Sequence, residues 1–285
     1  MPEIPLRPRW SRRIAYFAFV GTLVWFATAP NTRAQGSAGS ASASVPAQQA
    51  ASSGPSAIPP GTILPVILRT TMSWDKLKSG QVVHGAIAQD VPLPGGATIH
   101  AGSKVEGSVI GVEPGANGAA TKVSIRFDKL YNRGQVIPVT TDLRAIAGFM
   151  DVMEAQIPDQ SVGEGDVYDW MDTTQIGGDS VYGRGGPVNS AHNADEQVGK
   201  SLMNGGVLVR VTANSSGRCR GPLDGNDYPQ PLWVFSSDAC GTYGLTNLSI
   251  NHAGRTDPVG VITLESDNPK LKLHSGDGLL LRVIG

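Results

Sequence analysis

Lys122-Val123-Ser124-Ile125-Arg126-Phe127-Asp128-Lys129-Leu130 alternates, residue by residue, between side chains that avoid water and side chains that seek it. Successive side chains of an extended strand point to opposite faces of a sheet, so this order places Val123, Ile125 and Phe127 on one face and Ser124, Arg126 and Asp128 on the other. It predicts a strand with one buried and one wet face. Asn132-Arg133-Gly134 follows and predicts a turn, with Gly134 as the left-handed residue of a bulged hairpin. Residues 135–140 then supply the returning strand.

The same alternation extends outward in both directions. Residues 104–112 place Val105 and Val109 on one side, and Lys104, Glu106 and Ser108 on the other. Residues 81–91 align Val83, Ile87 and Val91, with Gly85 between them. Residues 62–70 predict a strand in which Pro65, lacking an amide hydrogen, favours an edge or a bulge. Toward the C-terminus, Val207, Val209 and Val211 alternate, Leu232-Trp233-Val234-Phe235 predicts an aromatic strand, and 248–251, 260–265 and 271–274 predict three more. Leu279, Leu281 and Val283 predict a last strand tied into the sheet. The expected fold class is all-β: a barrel- or sandwich-like antiparallel sheet whose edges are hidden by closure.

Two segments break the pattern. Leu143, Ile146, Ala147, Met150, Met153 and Ile157 stand at helical spacing, so residues 142–157 predict a short helix capped by Thr141 or Asp142 and stopped by Pro158. Its apolar stripe reads as core, flanking or plugging the barrel, with a Met-rich face for a partner as the alternative. Residues 159–200 are rich in Gly, Asp, Ser and Asn. They predict a long excursion with short hairpin elements near 168–182. Their Gly clusters lack the Lys and Ser/Thr of a phosphate loop.

The N-terminus carries an address. Arg7, Arg9, Arg12 and Arg13 precede an uncharged apolar run at 14–29, and Thr32-Arg33-Ala34 offers small residues before a cleavage point at Gln35. That is the layout of a secretory signal peptide, with an uncleaved membrane anchor as the alternative. Residues 35–57 contain Ala, Ser, Gly, Gln and Pro without charge, too little apolar surface to offset ordering entropy, and predict a flexible tether. The formal net charge is −1, so the basic surplus of a nucleic-acid binder is missing. Removing residues 1–34 takes five Arg and one Glu, leaving the mature chain at about −5, which is not drawn to anionic membranes. Membrane contact is expected only through 14–29.

The chain has two cysteines, Cys219 and Cys240, and an even count in an exported protein predicts a disulfide. The competing chemistry, Cys240 as nucleophile with His252 as base, needs a free thiolate. Ser236, Ser237, Asp238, His252 and Asp257 supply the residue types of a hydrolase triad, but no Gly-x-Ser-x-Gly elbow is present. Asp224-Gly225-Asn226-Asp227 offers oxygen ligands for calcium, without EF-hand spacing, and reads first as turn chemistry. The five His stand at no zinc spacing. No catalytic, metal or cofactor residues are assigned.

Several phrases, taken together, resemble a known family. Ile58-Pro59-Pro60-Gly61-Thr62-Ile63-Leu64-Pro65-Val66-Ile67-Leu68 is similar to the opening of the C-terminal β-barrel domain of TrbI-type scaffold proteins of conjugal transfer (type IV secretion) systems. Gly80-Gln81-Val82-Val83, Ile99-His100-Ala101-Gly102-Ser103-Lys104-Val105-Glu106-Gly107 and Ile125-Arg126-Phe127-Asp128-Lys129-Leu130 follow in the family's order. Asn268-Pro269-Lys270-Leu271-Lys272-Leu273-His274-Ser275-Gly276 is similar to its last barrel strand. The tether is shorter than the family's Pro-rich region, and no pair of long apolar helices supplies its outer-membrane projection. The resemblance implies a self-assembling scaffold in the cell envelope.

The expected organisation is therefore a signal peptide or anchor at 1–34, a linker at 35–57, a first β block at 58–157, an excursion at 158–204 and a second β block at 205–285 completing the same domain. The expected function is that of an exported, non-enzymatic envelope module, periplasmic or secreted, whose partner is another envelope protein or itself. The alternative is a secreted hydrolase or a small-ligand or calcium-binding domain.

Overall fold

In the computed structural model, the described residues are 57–115, 120–158, 172–213 and 226–285. They belong to one compact unit, 51–285. The first half contains β1 (Ile63–Leu68), β2 (Met72–Ser73), β3 (Val82–Ile87), β4 (Val91–Pro92), β5 (Thr98–Ile99), β6 (Lys104–Glu113), β7 (Thr121–Asn132), β8 (Gln135–Pro138), β9 (Thr141–Ala147) and helix α1 (Phe149–Glu154). A meander follows: β10 (Asp172–Thr174), β11 (Ser180–Tyr182), β12 (Pro187–Ser190), β13 (Asn193–Ser201), β14 (Val207–Val211) and β15 (Asn226–Pro231). The chain then adds β16 (Gly241–Tyr243), β17 (Leu248–His252), β18 (Ile262–Ser266), β19 (Lys272–Leu273) and β20 (Gly278–Val283).

Ten of these strands form one sheet in the order β16-β9-β20-β1-β3-β6-β7-β18-β17, with β8 beside β7. The two ends of this order, β16 and β17, are consecutive in sequence and joined by residues 244–247 alone. So short a link holds the two edges together, and the sheet curls into a nearly closed barrel. The all-β expectation is met. Val123, Ile125 and Phe127 face the barrel core with Val83, Ile87, Val105 and Val109, all buried. The terminal strand β20 lies between β1 and β9, so the C-terminus is bound into the wall.

The excursion is instead a second, six-stranded antiparallel sheet, β10 to β15 in sequential order. Its apolar face (Val181, Val188, Val198, Val207, Val209) meets the outer face of the barrel at Ile63, Ala145, Ala147 and Leu280. Strands β1, β9 and β20 are thus buried on both faces.

That double burial corrects the helix expected at 142–157. Residues 141–147 are strand β9, every residue of it buried, and α1 begins only at Phe149. A strand covered on both sides loses the apolar–polar alternation by which strands are recognised. Of the expected apolar stripe, Leu143, Ile146 and Ala147 are core, whereas Met150, Met153 and Ile157 are exposed. Three further expectations change. Strand β1 is central, not an edge, and Pro65 lies just outside its register with β3, which begins at Val66, so its missing amide falls where that ladder ends. The 132–135 connection is a two-residue turn with Arg133 at φ 48° and Gly134 at φ 82°, the primed type that matches strand twist, not a bulged hairpin. Leu232–Phe235 is not a strand. It is an irregular buried segment that turns at Trp233, φ 54°.

Candidate functional site at the barrel seam

Strand β9 is paired with β20 through Ala145↔Leu280 and Leu143↔Leu281, which leaves Arg144 as an extra residue between two ladder partners. A bulge re-aims the side chain it carries. Arg144 turns away from the barrel core and runs into the layer below, where Nε donates to the Ala239 carbonyl (2.9 Å) and Nη2 to the carbonyls of Thr212 (3.0 Å) and Ser237 (3.3 Å). It is 1% exposed, and a guanidinium so enclosed persists because carbonyl oxygens replace its water. Burial, reinforced by the nearby Arg255 and Arg282, lowers its pKa to about 10, so it is still a cation at neutral pH.

Beside it, Asp142 is wholly buried. Arg282 grips Asp142 Oδ2 through Nε (2.9 Å) and Nη2 (2.6 Å), and Arg255 Nε stands 3.6 Å from the same oxygen. Burial pushes the Asp142 carboxyl above its ordinary range against the pull of Arg282, Arg255 and Arg144. Arg255 also donates from Nη2 to the Leu143 carbonyl (2.8 Å). Three guanidinium groups around one carboxylate leave this part of the wall cationic.

Above this floor the barrel does not close by hydrogen bonds. Strands β16 and β17 end the ladder and are not paired with each other. Closure is made lower down, where the Leu143 amide donates to the Ala253 carbonyl (2.8 Å). Between the two edges lies a cavity of about 500 Å³. Leu143, Arg144 and Arg255 form its floor, Thr242 and Ile250 belong to the two edges, and Glu265 and Asp267 stand behind β17. This volume falls in the range of ligand pockets, and the lining is polar where such pockets are mostly apolar. Glu265 is held by Asn251 Nδ2 (2.7 Å). Asp267 is exposed.

The backbone of the edges can be assigned. Strand β16 runs parallel to β9, and the Gly148 amide donates to the Tyr243 carbonyl (3.0 Å). In a parallel pair alternate residues bond to the neighbour, so Gly241 and Tyr243 serve β9 and the amide and carbonyl of Thr242 point into the seam.

The residue types of a hydrolase are not assembled. Ser236 and Ser237 are buried, and Ser236 Oγ donates to Asp238 Oδ1 (2.8 Å), not to a histidine. His252 sits on β17, where Nδ1 lies 2.7 Å from the Val261 carbonyl oxygen and Nε2 lies 3.1 Å from Thr256 Oγ1. Asp238 is met by a different histidine, the exposed His192, whose Nε2 lies 2.9 Å from Oδ2. That hydrogen bond raises the His192 pKa. A nucleophile–base pair needs the serine hydroxyl on the imidazole, and here both groups converge on the carboxylate instead. Asp257 is exposed on the loop that follows β17.

Of the expected disulfide, Cys240 is buried and is not a free thiol, which also removes it as a nucleophile, while Cys219 lies outside the described residues. Asp224 and Gly225 lie outside them too, and Asn226 opens β15. No group of three or more His, Cys, Asp or Glu suited to a metal ion occurs among the described residues, and no helix there is long and apolar enough to cross a membrane. The expected signal segment, including residues 14–29, and the tether up to residue 56 also lie outside them.

Sequence reasoning missed Asp142 and Arg144, which it had placed on or beside a helix. A signal was present: two charged residues inside an apolar run mark either a solvent face or a buried ion network. No family model matches the chain, and no curated protein does.

Proposed function

We propose that the chain is an exported, non-enzymatic protein of the cell envelope that works by binding, to another envelope protein or to further copies of itself, as TrbI-type scaffold barrels do. The supporting observation is the seam: a polar cavity between two strand edges that end their ladder without joining. A barrel that served only to enclose its own core gains by pairing every edge, because unpaired edges invite other chains. The buried Cys240, which is not a free thiol, supports an oxidising compartment and a bond to Cys219. The N-terminal Arg-rich and apolar segment supports export, and retention of that segment would anchor the protein in the inner membrane.

The test is the mass of the native protein by light scattering, read beside N-terminal sequencing of protein recovered from the envelope fraction. A start at Gln35, or an intact N-terminus in the membrane, together with a stable homo-oligomer or a co-purifying envelope protein, is the expected outcome. A chain that stays in the cytoplasm with both cysteines reduced would overturn the proposal.

A further inference from the structure

We infer that the seam between β16 and β17 receives an extended peptide segment that adds to the barrel wall as a strand, with a lysine or arginine of that segment over Glu265 and Asp267. This deepens the binding role proposed above and rests on it. Four observations carry it. Among the described residues, strands β16 and β17 are the two ends of an otherwise continuous ladder. The cavity between them, about 500 Å³, has the size of a ligand pocket. The amide and carbonyl of Thr242 are turned toward it, supplying the donor and acceptor that strand addition uses. The rim behind β17 is anionic through Glu265 and Asp267, and no described cation forms an ion pair with Asp267.

Charge complementarity chooses the occupant. The cationic floor is already engaged: Arg144 bonds three carbonyls, and Arg255 bonds Asp142 and Leu143. On the rim, Glu265 is held only by the neutral Asn251 amide and Asp267 forms no ion pair with a described cation, so the rim selects a basic side chain. Main-chain hydrogen bonds supply affinity in strand addition, and alternate side chains supply selectivity. A polar ligand with no backbone would leave the Thr242 groups unmatched.

The test uses residues 35–285, oxidised, and a random linear heptapeptide library. Selected peptides are expected to carry Lys or Arg at a fixed position and to protect the Thr242 amide from hydrogen exchange. Methylating alternate backbone nitrogens of a selected peptide should weaken it at least about tenfold, as should Thr242→Pro, which removes the amide donor facing the seam. Asp267→Lys should exchange the preference for a basic residue for an acidic one. If Thr242→Pro does not fold, backbone methylation and Asp267→Lys carry the test. No enrichment, or enriched peptides indifferent to methylation and to Asp267→Lys, overturns strand addition at the seam. In that event, a native oligomer or an envelope partner that persists in the Asp267→Lys protein leaves the broader binding role standing, so the two failures are separable.

Discussion

At the scale of single residues, charge placed inside the wall is the most exacting feature. Asp142 offsets Arg282 and Arg255 where water cannot. Removing one partner of a buried pair leaves the other uncompensated, so Asp142→Ala should lower the unfolding free energy by about 3–5 kcal/mol, measured by urea titration. The opposite case is Glu106, on the wet face of β6. Lys104 Nζ (2.7 Å) and Lys129 Nζ (3.1 Å) hydrogen-bond it and hold its carboxyl down to about 2 from an ordinary 4.5. A depressed folded pKa gives a stabilisation present above the ordinary value and lost as pH falls from about 4.5 through about 2. With both lysines exposed, the cluster contributes little energy, and the readout is the titration itself: Lys129→Met should move the Glu106 carboxyl midpoint upward by NMR. His192 runs the other way. Asp238 raises its pKa, so its contribution is complete below the ordinary 6.5 and fades as pH rises through the higher folded value. Asp238→Asn should return the imidazole midpoint toward 6.5, followed by its ring proton shifts.

At the scale of elements, bulges govern both the shape of the wall and how well it can be read. Gly107 of β6 faces a bulge of β7 at Asp128, and an added Cβ there would run into the Arg126 carbonyl and the Phe127 ring. Overpacking of this kind costs about 1–3 kcal/mol, so Gly107→Ala should lower the denaturation midpoint without changing the slope of the transition. The bulge at Arg144 explains why β9 reads as a helix. By inserting a residue it places Leu143 and Ile146 on the same barrel face three apart, which is helical spacing, while Ala145 and Ala147 pack on the other layer. A strand with a bulge and two buried faces thus spells a helix. The apolar residues of the real helix, Met150 and Met153, remain in solvent. The strands at 104–112 and 122–130 were legible because each has a single buried face.

At the scale of the whole molecule, the second sheet is held to the barrel by apolar contact and by side chains that bond across the boundary, Arg144, Gln230 and Gln89 among them. Phe235 is fully buried between the layers, beside Gly278 of β20. Phe235→Ala should cost about 3–5 kcal/mol and, because this core is shared, should shift barrel and meander probes together in one thermal transition. Gln89 acts across the same boundary as a piece of backbone: its amide donates to the Val207 carbonyl (2.9 Å), and its carbonyl oxygen accepts from Val207 (3.1 Å) and Trp233 (2.6 Å). A lone glutamine after a strand carries no sign of such a role, because its partners lie more than a hundred residues away. The sequence by itself determined that these are strands with an oily side, since alternation is a local property of a chain whose side chains point to opposite faces in turn. Only the tertiary structure decided that the Gly-rich stretch folds as a second layer, that β9 is a strand, that Asp142 meets Arg282 and Arg255 beside an open seam, and that Ser236 and His252 do not meet. Those outcomes depend on which distant surface covers each face, and a covered face is written in the partner that covers it.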